Sequence, residues 1–265
     1  MGACSVELGD AQLLRYSRHI LLPQIDVQGQ ERLLAGKVLL VGAGGLGAPA
    51  SMYLASAGVG DLTICDGDRV DVTNLQRQIV HRETRIGVNK AESAVMALAE
   101  INPECKVTAV PYRVDTKNLR TLVAGADVVI DASDNFETRH AINEACVVGG
   151  KPLVSGAAIR FSGQLAVFDS RRPESPCYRC LFPDESAETE DADRCAVMGV
   201  FAPLTGMIGV AQAAEAIRLL VSGDSPLIGR LVLFDAMGMD WQKIRVPRDP
   251  GCPVCRASIT GASHR

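Results

Sequence analysis

The sequence predicts an α/β fold in which a mainly parallel sheet carries helices on both faces. Apolar strands alternate with helical segments over about the first 160 residues, which is typical of a parallel sheet with right-handed crossovers. A glycine-rich turn, GAGGLG, directly follows the first of these strands. Beyond about residue 160, two more strand-like segments flank one long apolar helix, so we expect an antiparallel extension of the sheet.

The elements follow one another in a regular order. The chain opens with a short amphipathic helix, LLRYSRHILL, which Pro23 ends. The five strands of the first part are KVLLV, LTICDGD, KVTAVPYRV, ADVVIDASDN and KPLVSGAAI. The helices between them are APASMYLASAG, AESAVMALAEIN and HAINEACVVGG. In the second part the strands GQLAVFD and LVLFDAM flank the helix TGMIGVAQAAEAIRLLV.

Composition excludes several classes of function. With 47% hydrophobic and 22% charged residues, the 265-residue chain has globular composition. Its net charge of −4 argues against a general nucleic-acid binder. No apolar run reaches the roughly 18 residues that span a bilayer, and no export signal opens the chain, so we expect no membrane partner. Nine cysteines without an export signal favour a cytoplasmic protein.

The glycine turn indicates a nucleotide site. Gly42, Gly44 and Gly47 have the G-x-G-x-x-G spacing, which lets backbone N–H groups approach phosphates at a helix N-terminus. Asp66 ends the next strand, 19 positions after Gly47, where a carboxylate accepts hydrogen bonds from ribose hydroxyls. Together these features favour a Rossmann-like nucleotide-binding fold. The alternative is a glycine-rich turn with a purely structural aspartate.

A basic stretch decides which nucleotide is expected. The segment 74–90 contains four cationic residues and one acid. A dinucleotide needs no such cluster, whereas cleaving a triphosphate to pyrophosphate requires cations that neutralise the leaving group. Arg77, Lys90 and Arg18, together with Mg²⁺, fit that need. The alternative, which we keep for Arg82 and Arg85, is the solvated face of a helix.

Asp134 is the candidate magnesium ligand. It lies in the loop after the fourth strand, at the carboxyl edge where such folds bind ligands. The alternative is that Asp134 caps the helix that follows.

Two C-x-x-C pairs predict a metal site. Cys177 and Cys180 form one pair, and Cys252 and Cys255 form the other. Four thiolates in such pairs are the usual ligands of a structural tetrahedral zinc, with no open position for catalysis. The competing interpretation is a pair of redox motifs, but neither pair opens a helix in a βαβ unit.

In combination, these motifs resemble the ubiquitin-activating-enzyme-like adenylyltransferases of the MoeB/ThiF/HesA type. The similarity covers about residues 15 to 255 and depends on RYSRH, VGAGGLG, DGDRVDVTNLQRQ, VNKAES, DASDN, PLVSGAAI, CYRC and CPVC. Members of this family use Mg-ATP to adenylate the C-terminal glycine of a small ubiquitin-fold sulfur-carrier protein. The carrier then becomes a thiocarboxylate for molybdopterin or thiazole synthesis. NLQRQ and PLVSGAAIR favour the molybdopterin branch.

The resemblance implies roles for individual residues. Gly45 and Asp66 would hold the adenosine, and Arg18 would reach the phosphates of the partner subunit in a homodimer. The residues expected to bind Mg-ATP as a set are Gly42, Gly44, Gly45, Asp66, Asn74, Arg77, Lys90, Asp134 and Asn135. We expect one domain over residues 1–265, with a nucleotide-binding half at about 30–160 and a carrier-binding and zinc lobe at about 161–260.

Cys195 has two possible roles. It resembles a thiol that takes part in sulfur transfer in the ThiF branch, and the alternative is an inert loop cysteine. The chain ends soon after Cys255, so no rhodanese domain is expected, and a separate sulfur donor would be needed.

The favoured function is therefore adenylation of a MoaD-like carrier that ends in Gly-Gly. A C-terminal carboxylate is an anion at pH 7, so the reaction needs charge neutralisation and no general base, and His81 is expected to be structural. The first alternative is the same reaction on a ThiS-like carrier for thiamin. The others are adenylation of a tRNA base or a peptide, a nicotinamide-dependent oxidoreductase, and a non-catalytic scaffold that binds the carrier.

Overall fold

The structure, a computed structural model, describes residues 7–183 and 199–256. One eight-stranded sheet runs through it in the order β3-β2-β1-β4-β5-β6-β7-β8. The first five strands are parallel to one another, and β6, β7 and β8 extend the sheet, each antiparallel to the strand before it. The strands are β1 Lys37–Val41, β2 Asp61–Cys65, β3 Lys106–Val110, β4 Val128–Asp131, β5 Leu153–Ile159, β6 Ser162–Phe168, β7 Arg230–Asp235 and β8 Asp240–Arg245.

Helices cover both faces of this sheet. In the described part of the chain they are α1 Asp10–Arg15, α2 Ser17–Ile20, α3 Asp26–Ala35, α4 Gly47–Ser56, α5 Lys90–Ile101, α6 Thr116–Ala124, α7 Phe136–Gly149, α8 Tyr178–Leu181 and α9 Ala202–Ser222. Two 3₁₀ turns, Val72–Asn74 and Glu83–Arg85, lie between β2 and α5. The predicted α/β fold, with its parallel sheet and antiparallel extension, is confirmed.

Strand alternation produces two separate cores. Val38 and Leu40 of β1 point to the face covered by α3, α4, α5 and α9, whereas Leu39 and Val41 point to the face covered by α6 and α7. Successive side chains of a strand point to opposite faces, so a buried central strand reads as a continuous apolar run. The KVLLV segment has this form because both of its faces are covered.

The first helix differs from its prediction. The segment LLRYSRHILL forms two short helices, α1 and α2, that are broken at Tyr16. The Tyr16 side chain is buried, and its hydroxyl accepts a hydrogen bond from Asn102 Nδ2 at 2.9 Å. Asn102 Nδ2 also donates to the carbonyl of Ala55 at the end of α4. The break between α1 and α2 therefore places the Tyr16 ring in the interior, next to the end of α4.

The helix α9 connects the two parts of the sheet. It packs against α4 on one side and against β4, β5 and β6 on the other. Its length and composition would suffice to cross a membrane, but 56% of its most apolar window is buried in the protein. Its buried residues include Gln212 and Glu215, which are polar. In this structure α9 is a helix of the core.

The strand order places a ligand site. The chain runs from β1 outward to β2 and β3, and then returns to β4 on the other side of β1. The loops that leave β1 and β4 therefore diverge, and this switch point is where open α/β sheets bind ligands. The residues at this edge are the glycine turn, residues 42–47, and the loop 132–135.

Two glycines of α9 test the close packing of this helix. A Cβ at Gly209 would overlap the carbonyl oxygen of Leu46 and lie 2.8 Å from Pro49 Cγ, whereas a Cβ at Gly206 would meet no atom within 4 Å. We expect Gly209→Ala to lower the free energy of unfolding by about 1–3 kcal/mol. Gly206→Ala, the control in the same helix, should raise it by up to about 1 kcal/mol. Urea unfolding measures both changes, and equal effects would contradict this packing.

Candidate nucleotide site and metal centre

The glycines of the turn between β1 and α4 differ in what restricts their positions to glycine. Gly42 has φ of +99°, and a Cβ there would lie 2.5 Å from the carbonyl oxygen of Ala132. A Cβ at Gly47 would overlap the carbonyl oxygen of Gly42. At Gly44, by contrast, the nearest atom is the tip of Gln78, at 3.6 Å. The fold thus requires Gly42 and Gly47, and Gly44 keeps space open for a ligand.

Gly45 is packed more tightly than Gly44. A Cβ there would lie 3.1 Å from the side chain of Thr205 in α9. The position is therefore restricted by the fold, whether or not it also contacts a nucleotide.

Asp66 is positioned by the backbone of the same turn. It follows β2, and its two carboxylate oxygens accept hydrogen bonds from the N–H groups of Ala43 and Asp68, each at 2.8 Å. Burial raises the pKa of Asp66, and these hydrogen bonds and the charge of Lys90 oppose that shift only in part. Each oxygen has a second acceptor position, so the carboxylate can still receive a ribose hydroxyl.

Lys90 begins α5 and is held by the loop after β2. Its side chain is 9% exposed, and Nζ lies 3.1 Å from Asp68 Oδ2. Asn89 is the N-cap of α5 and accepts from Ala91 N–H, and its Nδ2 donates to the carbonyls of Asp66 and Asp68. The sequence interpretation did not include Asn89 or Asp68, although both lie within motifs that it quoted.

Asn74 ends the 3₁₀ turn after that loop, and Arg77 follows in a further turn in which its N–H donates to the carbonyl of Asn74 at 3.1 Å. Asn74 Oδ1 accepts from Asp71 N–H at 3.2 Å, which stabilises the turn. Arg77 is half-buried and donates to the carbonyl of Thr73 at 3.1 Å. Within residues 7–183 and 199–256, no carboxylate pairs with Arg77. Its positive charge therefore remains available to an anion.

The other two arginines of the basic stretch serve the backbone. Arg82 donates to the carbonyls of Ile79 and His81. Arg85 donates to the carbonyl of Ser93 and lies 3.5 Å from Glu100 of α5. The stretch thus divides into cations that fix the local fold and cations that can face a ligand.

His81 ties the glycine turn to α5. It is buried, with Nε2 at 3.0 Å from the carbonyl of Ala43 and Nδ1 at 2.9 Å from Ser93 Oγ. Because a carbonyl only accepts, the hydrogen-bond network assigns the proton to Nε2, and Nδ1 accepts from the serine hydroxyl. Burial, with a smaller contribution from nearby cations, lowers the pKa of His81 to about 4. His81 is therefore a neutral structural residue at pH 7.

The loop after β4 presents Asp134. The N-cap of α7 is Asn135, whose Oδ1 accepts from Thr138 N–H at 2.9 Å, so the alternative that Asp134 caps this helix is wrong. Asp134 is exposed, and its carboxylate accepts from Asn135 Nδ2 at 3.3 Å. Exposed carboxylate oxygens at this edge fit a hard cation such as Mg²⁺.

A buried network supports this loop. Asp131, which ends β4, is fully buried and accepts from the N–H and hydroxyl of Ser133 and from the hydroxyl of Ser155. Arg139 donates to the carbonyl of Ser133 at 2.9 Å, and Gln212 of α9 donates to the carbonyl of Asp131. The sequence interpretation missed these residues, although the Asp-x-Ser spacing in DASDN is typical of such a turn.

No side-chain contact joins Arg18 to this group. Arg18 is exposed on α2, and its side chain makes no hydrogen bond or ion pair within the part of the chain that the structure describes. Cys195 lies outside the described residues.

The four cysteines of the C-x-x-C pairs come together in space. Cys177 Sγ lies 3.9 Å from Cys180 Sγ and 3.7 Å from Cys252 Sγ, and Cys180 Sγ lies 3.5 Å from Cys255 Sγ. Sulfur atoms bound to a tetrahedral zinc are about 3.8 Å apart, given a Zn–S distance of roughly 2.3 Å. Disulfide sulfurs are only about 2 Å apart. The cluster therefore fits one tetrahedral metal ion and not two disulfides.

The surroundings of the cluster suit a closed metal site. Cys177, Cys252 and Cys255 are each 1% exposed. The hydrogen bond between Cys177 and Cys180 lowers the pKa of Cys180 and raises the pKa of Cys177, so Cys180 is the thiol of this pair that ionises first. Asn143 Nδ2 lies 3.7 Å from Cys177 Sγ, and Asn143 Oδ1 accepts from the N–H of Tyr178. These residues could hold a metal ion that joins the end of the described chain to α8.

The fold is an α/β sheet of the Rossmann type with a glycine turn at its switch point, and it carries four clustered cysteines that could hold a metal ion. Comparison with known families gives the class more narrowly. The family model described as ThiF matches residues 16–254, and the chain belongs to the ThiF family. The predicted family is thereby confirmed.

The chain is similar to proteins of bacteria and archaea over nearly its whole length. It is 47% identical to the SAMP-activating enzyme E1 of Haloferax volcanii, over 95% of this chain and 92% of that one. It is also 47% identical to the molybdopterin-synthase adenylyltransferase of Salmonella typhimurium, over 94% and 98%. Among solved structures, Escherichia coli MccB with AMPCPP and MccA has a TM-score of 0.79 at 25% identity, covering 91% and 74%.

The depressed pKa of His81 predicts acid sensitivity. Since the unfolded chain binds a proton below about pH 6.5 and the folded chain only near pH 4, protonation favours unfolding between these values. The free energy of unfolding should therefore fall by up to about 3 kcal/mol as the pH drops through this window. Urea unfolding at several pH values measures the slope. His81→Gln should lose this part of the slope and His140→Gln should keep it; identical slopes in all three proteins would contradict the assignment.

Proposed function

We propose that this protein is an ATP-dependent adenylyltransferase that activates the C-terminal glycine of a small ubiquitin-fold sulfur-carrier protein. The product would be an acyl-adenylate, with pyrophosphate released, for molybdopterin synthesis. The observation that carries the proposal is that two cations, Arg77 and Lys90, follow the carboxyl end of β2 in a chain of the ThiF family. The name of the Salmonella relative supports the molybdopterin pathway, and the same reaction on a thiamin carrier is the second candidate.

Charge neutralisation is the main chemical task in this reaction. The attacking group is a carboxylate with an unperturbed pKa of about 3.3–3.7, so at pH 7 it is already an anion. It must approach an anionic α-phosphate, and the Arg77 guanidinium and the Lys90 ammonium would neutralise the charge that opposes this approach. Asp134 would hold a Mg²⁺ ion, which supplies further positive charge to the phosphates when bound.

The glycine turn would receive the nucleotide itself. The turn leads directly into the N-terminus of α4, whose helix dipole would favour a phosphate, and Gly44 leaves open space beside it. Asp66 accepts hydrogen bonds at the end of β2, where the ribose hydroxyls of a nucleotide in this turn would lie. The same two features would serve a nicotinamide cofactor, but family membership and the cation pair favour the adenylyltransferase.

We also infer that the cysteine cluster holds a structural zinc ion. The sulfur spacing supports tetrahedral geometry, and four cysteine ligands would leave no position for substrate.

We further propose a homodimer in which Arg18 reaches the phosphates bound by the partner subunit. Support for this arrangement is that Arg18 is an exposed arginine without a partner within the described residues of its own chain. The role of Cys195 in sulfur transfer and the need for a separate sulfur donor remain predictions.

Carrier-dependent exchange of labelled pyrophosphate into ATP tests the reaction. With Mg²⁺ and a MoaD-like carrier, we expect exchange that disappears when the carrier's C-terminal carboxylate is blocked as an amide. Arg77→Ala should reduce exchange by at least about 100-fold, because charge stabilisation at the phosphates is lost. Arg82→Ala, from the same basic stretch, should stay within about twofold.

The choice of carrier separates the remaining alternatives. Exchange with a ThiS-like carrier alone would assign the thiamin pathway instead. Exchange with neither carrier, or exchange that needs no C-terminal carboxylate, would contradict the proposed function.

Metal analysis of the purified protein tests the zinc site. We expect one zinc ion per chain in the unmodified protein and little in Cys252→Ser, with a lower unfolding temperature because metal binding contributes to folding. Cys105→Ser is the control, since Cys105 is buried but lies outside the cluster. Normal zinc content in Cys252→Ser, or another metal in the unmodified protein, would contradict the assignment.

A further inference from the structure

Lys90 already has an anionic partner where a phosphate is expected to bind. The ammonium lies 3.1 Å from Asp68 Oδ2, and the lysine side chain is 9% exposed while that of Asp68 is 49% exposed. A buried ammonium without a counter-charge is strongly disfavoured. The carboxylate of Asp68 therefore stabilises the charged lysine in the structure without a nucleotide.

Asp68 has a second cationic neighbour on its other side. Arg113, from the segment between β3 and α6, places Nη2 at 3.6 Å from Asp68 Oδ1, and its side chain is 88% exposed. The contact is anchored by the backbone, because a Cβ at Gly67 would lie 2.7 Å from Arg113 N. The two oxygens of one carboxylate thus face two cations, one buried and one in solvent.

The backbone of Asp68 is fixed, so only its side chain is free to move. Its N–H donates to Asp66 Oδ1, and its carbonyl accepts from Lys90 N–H and Asn89 Nδ2. A rotation of the carboxylate toward Arg113 would leave all three of these contacts in place. The loop is therefore suited to exchanging a side-chain ion pair without a change of fold.

A phosphate at Lys90 would compete with Asp68. Two anions within a few ångströms of one ammonium repel each other, and this repulsion is weakly screened at a half-buried site. The cost falls if the carboxylate moves onto another cation, and Arg113 is already in contact with it. Asp66 and Asp71, the other acids whose pKa values respond to Lys90, are held by their own hydrogen bonds.

We propose that Asp68 is the resident counter-ion of Lys90 and that Arg113 takes over this carboxylate when the triphosphate binds. The inference rests on the proposed function, because it assumes that Lys90 contacts the phosphates. Asp68 and Arg113 are then positioning residues that set the affinity for ATP without touching it. Asp68 weakens binding by occupying Lys90, and Arg113 restores part of the affinity by drawing the carboxylate away.

Titration calorimetry with Mg-ATP, in the absence of carrier, tests this ion-pair exchange. Asp68→Asn should lower the Kd for ATP by about fivefold, and Arg113→Gln should raise it by a similar factor. In the Asp68→Asn background, Arg113→Gln should have no effect, because no carboxylate is left to move. Arg120→Gln, another exposed arginine that pairs with a carboxylate, is the control and should leave the Kd unchanged.

The measured Kd values distinguish failure of the ion-pair exchange from failure of the proposed function. A Kd that Asp68→Asn leaves unchanged or raises would overturn the exchange, as would an Arg113→Gln effect that persists in the double variant, since that arginine would then contact the phosphates directly. Thermal unfolding shows whether the variants fold, and Asp68→Ser replaces Asp68→Asn if that variant does not. Failure of the unmodified protein to bind Mg-ATP would contradict the proposed function as well. If the unmodified protein binds Mg-ATP but the effects of Asp68→Asn and Arg113→Gln on the Kd simply add in the double variant, only the ion-pair exchange would be overturned.

Discussion

The backbone of Ala43 holds the candidate site together. Its N–H donates to Asp66 after β2, and its carbonyl accepts from His81 before α5. Ala43 can occupy this position because Gly42 adopts a positive φ and Gly47 packs against the carbonyl of Gly42. The turn between β1 and α4, the loop after β2 and the start of α5 are therefore fixed relative to one another by the two backbone groups of one residue and by two side chains.

The contacts of the individual cations explain how an acidic chain can present a local positive site. The net charge is −4, yet the cations of the basic stretch are sorted by what they touch. Arg82 and Arg85 bond backbone carbonyls, which uses their donors within the fold. Arg77 donates to one backbone carbonyl and, like Arg82, has no carboxylate partner in the described chain, whereas Lys90 has a partner that is half exposed. Charge available to a ligand is thus a matter of pairing, and counting charges in the sequence overestimates it.

Sequence reasoning succeeded where the signal was local or dominated by burial. The glycine spacing predicted the turn geometry, the apolar runs predicted strands buried on both faces, and the C-x-x-C pairs predicted that four cysteines come together. It missed α6, although Asp115 caps that helix and Leu119 and Val123 form its buried stripe. It missed β8 for a different reason, since every residue of that edge strand is exposed and no apolar alternation exists to read. The Lys90–Asp68 pair joins residues 22 positions apart, and only the folded loop brings them together.

The contrast between Asp131 and Asp68 shows why one kind of carboxylate can be structural and another can be exchangeable. Asp131 is fully buried, and three hydrogen bonds from two serines satisfy it, so moving its charge would leave both the charge and those donors unpaired. Asp68 instead pairs with two cations of very different exposure, and water can solvate it during a rotation. In the proposed nucleotide site, the first kind would fix the loop after β4 and the second kind would release Lys90 to the phosphates.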